Sequence, residues 1–260
     1  VLILMGVGQE AWANEPPALA KARTLYNAGD FEGAIDSASL ARKDVSWADA
    51  AALVVARAHL ERYRQRADVE DLSAARAALA ATRAAALTPR DQVDLIVGLG
   101  QSLYLGEIYG AAAELFETAL SRAAILGPRD RLLLLDWWAT SLDREAQSRP
   151  PDRRAKVFER IAVRMNEEIQ RDPGSPVANY WLAVSARGVG DMDGAWNSAI
   201  AAWVRSTLSP DTTAGLRDDL DRLVTQALIP ERSRTLVARS PQEAVTALRT
   251  EWELLKQQWK

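Results

Sequence analysis

The sequence predicts an all-α fold of consecutive helical hairpins, on three observations. Alanine and leucine dominate the 260 residues, and no long alternating run of Val, Ile, Thr or Tyr offers the two-residue period of a strand. Glycine and proline fall between apolar runs rather than inside them. Apolar stripes of helical spacing recur on either side of a glycine-containing turn. In the clearest case Leu182, Ala183 and Ala186 precede Gly190-Asp191, and Ala195, Ala199 and Ala202 follow it. A formal charge of −3 and a pI near 5.4 give no basic footprint, so nucleic acid is not expected as a partner. With no cysteine, the chain as given has no disulfide, thiolate metal ligand or thiol nucleophile.

In chain order, residues 1–13 combine a short apolar run with Ala11-Trp12-Ala13, small residues spaced like a signal-peptidase site, so the mature chain is expected to begin at Asn14. An ordinary apolar N-terminal helix is the other reading, because no basic residue precedes the run. The run is far short of the ~20 residues that span a bilayer. Residues 17–43 form the first hairpin: Ala22 and Leu25, then Gly29-Asp30-Phe31, then Ala34, Ile35, Ala38 and Ala41. Residues 88–126 form another, opened by the helix-start signal Thr88-Pro89-Arg90-Asp91 and carried by Leu99, Gly100, Leu103, Tyr109, Ala112, Phe116 and Ala119. Residues 176–206 form the third clear copy.

The spacing of equivalent alanines implies two more. Seventy-eight residues lie from Ala34 to Ala112 and 83 from Ala112 to Ala195, each above the ~68 of two 34-residue repeats. Degenerate copies are therefore expected near 46–84 and 129–173, with the charged stretch Glu61 to Asp68 and the stretch Gln147 to Asp152 as long connections. Residues 207–260 carry no repeat. Leu216, Leu220, Leu223, Val224, Ala227 and Leu228 predict an amphipathic helix stopped by Pro230, and the capping box Ser240-Pro241-Gln242-Glu243 opens a last helix with the stripe Ala244, Val245, Leu248, Trp252, Leu255 and Trp259. These helices are expected to cap the array; the Trp252 and Trp259 stripe is the alternative docking surface.

Residues that carry chemistry are few. The lone His59 lies in an apolar helical run and reads as packed or solvated. The run Arg217 to Arg222 lacks the Asp-x-Asp-x-Asp-Gly pattern of a calcium loop, and Gly98-Leu99-Gly100 and Gly188-Val189-Gly190 follow no strand. No pair can be selected from thirty-five acidic residues. No catalytic, cofactor-binding or metal-binding residue is assigned, and the chain is not expected to be an enzyme.

The pattern of Leu and a small residue, then Gly-Asp, then Ala, with Asp172-Pro173 before it and Leu99-Gly100 in residues 88–126, resembles the tetratricopeptide repeat. The resemblance implies a right-handed α-solenoid of about five hairpins over residues 14–206, in a bacterial exported protein, periplasmic or secreted. It also implies a concave groove lined by the first helix of each hairpin. Carried over, the groove positions are Arg23, Tyr26 and Asn27; Val97, Gln101 and Tyr104; and Tyr180, Val184 and Arg187. They are expected to be exposed. The family's Lys/Asn/Arg clamp for chaperone tails is not reproduced. The Tyr, Arg, Asn and Gln groups suit an extended protein or peptide partner. The alternative is a periplasmic ligand-capture subunit that holds a small molecule for a transporter, with Trp137, Trp138, Trp181 and Trp196 lining a pore.

Overall fold

Proline and short polar caps set where the helices of the computed structural model begin. The structure describes residues 15–208, 210–236 and 240–259, without the side chains of residues 123 and 210–214. The expected signal segment 1–13 lies outside the described residues. The described residues are helical and contain no strand: α1 (Pro17–Ala28), α2 (Phe31–Ala41), α3 (Ala48–Arg66), α4 (Val69–Ala81), α5 (Pro89–Leu105), α6 (Tyr109–Leu120), α7 (Pro128–Gln147), α8 (Pro151–Arg171), α9 (Pro176–Gly188), α10 (Met192–Ser206), α11 (Pro210–Leu223), α12 (Ile229–Ser233) and α13 (Pro241–Gln258). Pro17, Pro89, Pro151, Pro176 and Pro241 occupy first-turn positions, where the missing N–H costs nothing. Asp30, Thr88, Ser175, Asp191 and Ser240 cap helices by accepting a backbone N–H three residues on. The capping box at Ser240 and Glu243 forms as its sequence predicts.

The chain divides into two compact units, one ending at Ser141 and one starting at Leu142. In the first, α1 packs on α2, α3 on α4 and α5 on α6, with α2 against α3 and α4 against α5. Its main core joins Leu19, Ala22, Ala38, Leu53, Leu60, Leu72, Ala75, Leu79 and Leu95. Small residues permit close approach: a Cβ on Gly100 of α5 would lie 2.6 Å from the Phe116 ring of α6. In the second, α8 packs on α9 and α9 on α10. Ala195, Ala199, Ala202, Trp196 and Trp203 bury against Leu220, Val224, Leu228, Leu248 and Trp252 of the last helices. No described helix is long and apolar enough to cross a membrane.

Three hairpins turn in the same way. After α1, α5 and α9 the residues Gly29, Glu107 and Gly190 take φ of 84°, 62° and 85°. Each donates its N–H to the carbonyl three residues back, at Tyr26, Tyr104 and Arg187, and the next residue donates to Leu25, Leu103 and Ala186. This paired closure satisfies carbonyls that a helix end leaves open, and it requires a left-handed residue, which glycine adopts without a Cβ clash. Ala67 (φ 54°) ends α3 in the left-handed region too, with its N–H on the Tyr63 carbonyl.

Two expectations need correction. The stretches Glu61 to Asp68 and Gln147 to Asp152 are not long connections: α3 runs to Arg66 and α7 to Gln147, leaving only Ala67-Asp68 and residues 148–150 between helices. The extra length of these hairpins lies in helices of 19, 20 and 21 residues. Pro230 does not stop its helix. A π-helical turn over Val224–Leu228 leads into α12, and the Ile229 N–H bonds the Val224 carbonyl five residues back. Pro230 has no N–H to give, and the widened turn accommodates its ring where a regular α-turn would clash.

Candidate functional site

Counting from the left-handed turn residue puts the first helices of the hairpins in register. Three residues before it stand Tyr26, Arg64, Tyr104 and Arg187; six before it stand Arg23, Glu61, Gln101 and Val184. Glu61 and Arg64 were missed as candidates because Ala67 replaces the glycine that marks the turn elsewhere. The retained Asp68, in the place of Asp30 and Asp191, was the signal that could have found them.

In the first unit the structure does not leave all of these positions open. Tyr26 is only 5% exposed, and Val97 and Gln101 are equally buried. The expectation that they present an exposed groove is corrected: Tyr26 packs against the Phe31 ring, with centroids 5.6 Å apart, and under the Arg57 guanidinium at 4.6 Å. Arg57 in turn donates to Asp94 at 3.0 Å. Arg90 lies 3.4 Å from Asp94 and 2.8 Å from the fully buried Asp130. Arg23 forks onto Asp91 at 3.0 and 3.3 Å and donates to Glu15 at 2.9 Å. Thr88 locks Asp91 by donating its hydroxyl to the carboxylate and accepting the Asp91 backbone N–H. Burial alone would weaken the Arg57 charge, but Asp94, Tyr26 and Glu61 outweigh it and hold the guanidinium above its ordinary range. Burial pushes the Glu61 carboxyl up, opposed by Arg64 and Arg57. Buried charges of this kind survive because each faces an opposite one.

Accessible positions converge on one ring of this unit. Arg64, paired with Glu61 at 2.7 Å, sits 5.4 Å from the centroid of Trp137. The half-buried Tyr104 meets the same indole edge-on at 4.9 Å and Tyr109 at 5.3 Å. The free space beside Trp137, Asp94 and Asp130 is about 10 Å³, room for no more than roughly one water. Asn27 is half-buried on α1.

In the second unit Tyr180, Val184 and Arg187 share one face of α9 by their spacing. Tyr180 and Val184 are half-buried and Arg187 is exposed. Tyr180 stacks edge-on to Trp181 at 5.2 Å. Arg187 forks onto Glu231 of α12 at 2.9 and 2.7 Å, and this hydrogen bonding raises its pKa. Asp143, near Arg187, is pushed up by burial, against the opposing pull of Gln147, Arg144 and Arg187. Trp137, Trp138, Trp181 and Trp196 are all buried, and their apolar area belongs to packing. His59 is half-buried, with Nδ1 2.7 Å from Asp71, which also meets Arg62 at 3.3 Å. No family model, no curated protein and no solved structure matches the chain.

Proposed function

We propose that this chain is a non-catalytic helical-repeat scaffold of the tetratricopeptide type, exported to the periplasm or beyond, that binds a protein or peptide through the first helices of its hairpins. The observation that carries this reading is the approach of Arg64 and Tyr104 to the same Trp137 ring. Arginine and tyrosine are residue types that concentrate binding energy at protein interfaces, and here both approach a tryptophan that is itself buried. Arg64 is paired with Glu61, and Tyr104 packs between Tyr109 and Trp137, contacts that lower the ordering cost of binding. A small-molecule pocket needs about 300–1,000 Å³, and the space beside Trp137 is about 10 Å³, so beside this ring the peptide reading is favoured over ligand capture.

The test isolates a partner by pull-down from the native envelope and measures its affinity for variants. Arg64→Ala, Tyr104→Ala and Arg187→Ala are each expected to cost about 2 kcal/mol or more, roughly 30-fold in affinity, while Asp36→Ala on an exposed face of α2 binds as wild type. Equal affinity for all four overturns the assignment.

A further inference from the structure

A surface pocket of about 260 Å³ lies on the second unit between α10 and α13, lined by Trp196, Ile200, Glu251, Trp252, Leu254 and Leu255. Its floor is rigid. The Trp196 indole N–H donates to Glu251 at 3.1 Å and the Trp252 indole N–H to Asp221 at 2.8 Å, and the two rings lie 6.2 Å apart. Its rim is apolar and accessible, with Leu254 60% exposed. The carboxylates around it are not equivalent. Lys256 pairs with Asp221 at 2.8 Å and with Glu253 at 2.7 Å, whereas among the described residues no Lys or Arg pairs with the exposed Glu251.

We propose that this pocket docks a peptide segment of a partner protein that carries a branched aliphatic or aromatic side chain with a lysine or arginine within one helical turn of it. A pocket of about 260 Å³ has room for one anchoring side chain. The apolar walls supply the burial that holds such an anchor. Glu251 supplies the complementary charge: its exposed carboxylate accepts the Trp196 N–H, and a cation beside the anchor gains a partner without displacing an existing Lys or Arg. The pocket belongs to the unit that starts at Leu142, whereas Arg64, Tyr104 and Trp137 belong to the other, and the proposal does not rest on their assignment.

The test selects a random-peptide phage library against the full chain and measures the selected peptides, fluorescein-labelled, by anisotropy. A consensus that pairs an apolar anchor with Lys or Arg is expected. Leu254→Asp should weaken binding more than about tenfold. Glu251→Gln keeps an oxygen for the Trp196 N–H but removes the charge, and should weaken binding about three- to tenfold and flatten its dependence on salt. Asp36→Ala, at an exposed position of α2, should bind like wild type. Leu254→Ser replaces the aspartate variant if its circular dichroism shows unfolding. The proposal is overturned if no peptide is selected, if the consensus lacks a cation, or if affinity is indifferent to Leu254. It is equally overturned if sedimentation shows a dimer that Leu254→Asp dissociates, since a second copy then fills the pocket.

Discussion

Tyr26 and Asp143 show how burial governs a single side chain. Tyr26 is enclosed by Phe31 and by Arg57, which Asp94 holds in place. Truncating a buried aromatic removes its transfer energy and leaves a cavity, so Tyr26→Ala is expected to lower the unfolding free energy by about 3–5 kcal/mol. Asp36→Ala, on the surface, should stay within about 0.5 kcal/mol, and urea denaturation of the two variants compares them directly. Asp143 titrates in the opposite sense to most carboxylates of folded proteins. Burial raises its folded pKa above the ordinary value, so the folded state binds this proton more tightly than the unfolded state does, and the ionised form costs stability above the folded pKa. The cost is relieved as pH falls through that raised pKa. Asp143→Asn keeps an oxygen for the Gln147 amide N–H, so it is expected to melt higher than wild type at pH 7. The difference should close as pH falls toward the ordinary Asp pKa near about 4; melting curves across that window check it, and a gap that widens toward acid refutes it.

The turns decide how each hairpin closes. Gly29, Glu107 and Gly190 make the same two hydrogen bonds, but only Glu107 carries a Cβ into the left-handed region, at a cost of roughly 1 kcal/mol. Glu107→Gly is therefore expected to stabilise the chain by about that amount, and Gly190→Ala to destabilise it by about the same. Equal denaturation midpoints for both variants would show that the turn conformation does not control stability. Sequence reading finds the hairpins at Gly29 and Gly190, because glycine is the residue this conformation demands. At α3 it runs out, since Ala67 occupies the same region without a compositional mark, and the charged residues before it read as a loop although they extend a helix. Pro230 misleads for a related reason. Its missing N–H forbids a regular α-turn, yet the π-turn over Val224–Leu228 carries the helix past it.

For the molecule as a whole, the proposed export sets an outcome: expressed with its native upstream sequence in a bacterial host, the chain should be found in the periplasmic fraction with Asn14 at its N-terminus by mass spectrometry. A cytoplasmic pool that retains residues 1–13 would overturn that. By itself the sequence determined the helical class, the capped helix starts and the glycine turns, because each follows from interactions among residues a few positions apart, such as the Asp30 and Asp191 caps or the Ser240 and Glu243 box. Only the tertiary structure decided which face positions are open. Tyr26 and Tyr104 occupy the same place in their hairpins, yet Tyr26 is buried and Tyr104 half-exposed. Arg57 lies over one and Trp137 edge-on to the other, so burial was set by neighbours about thirty residues away in the chain, which no local pattern encodes.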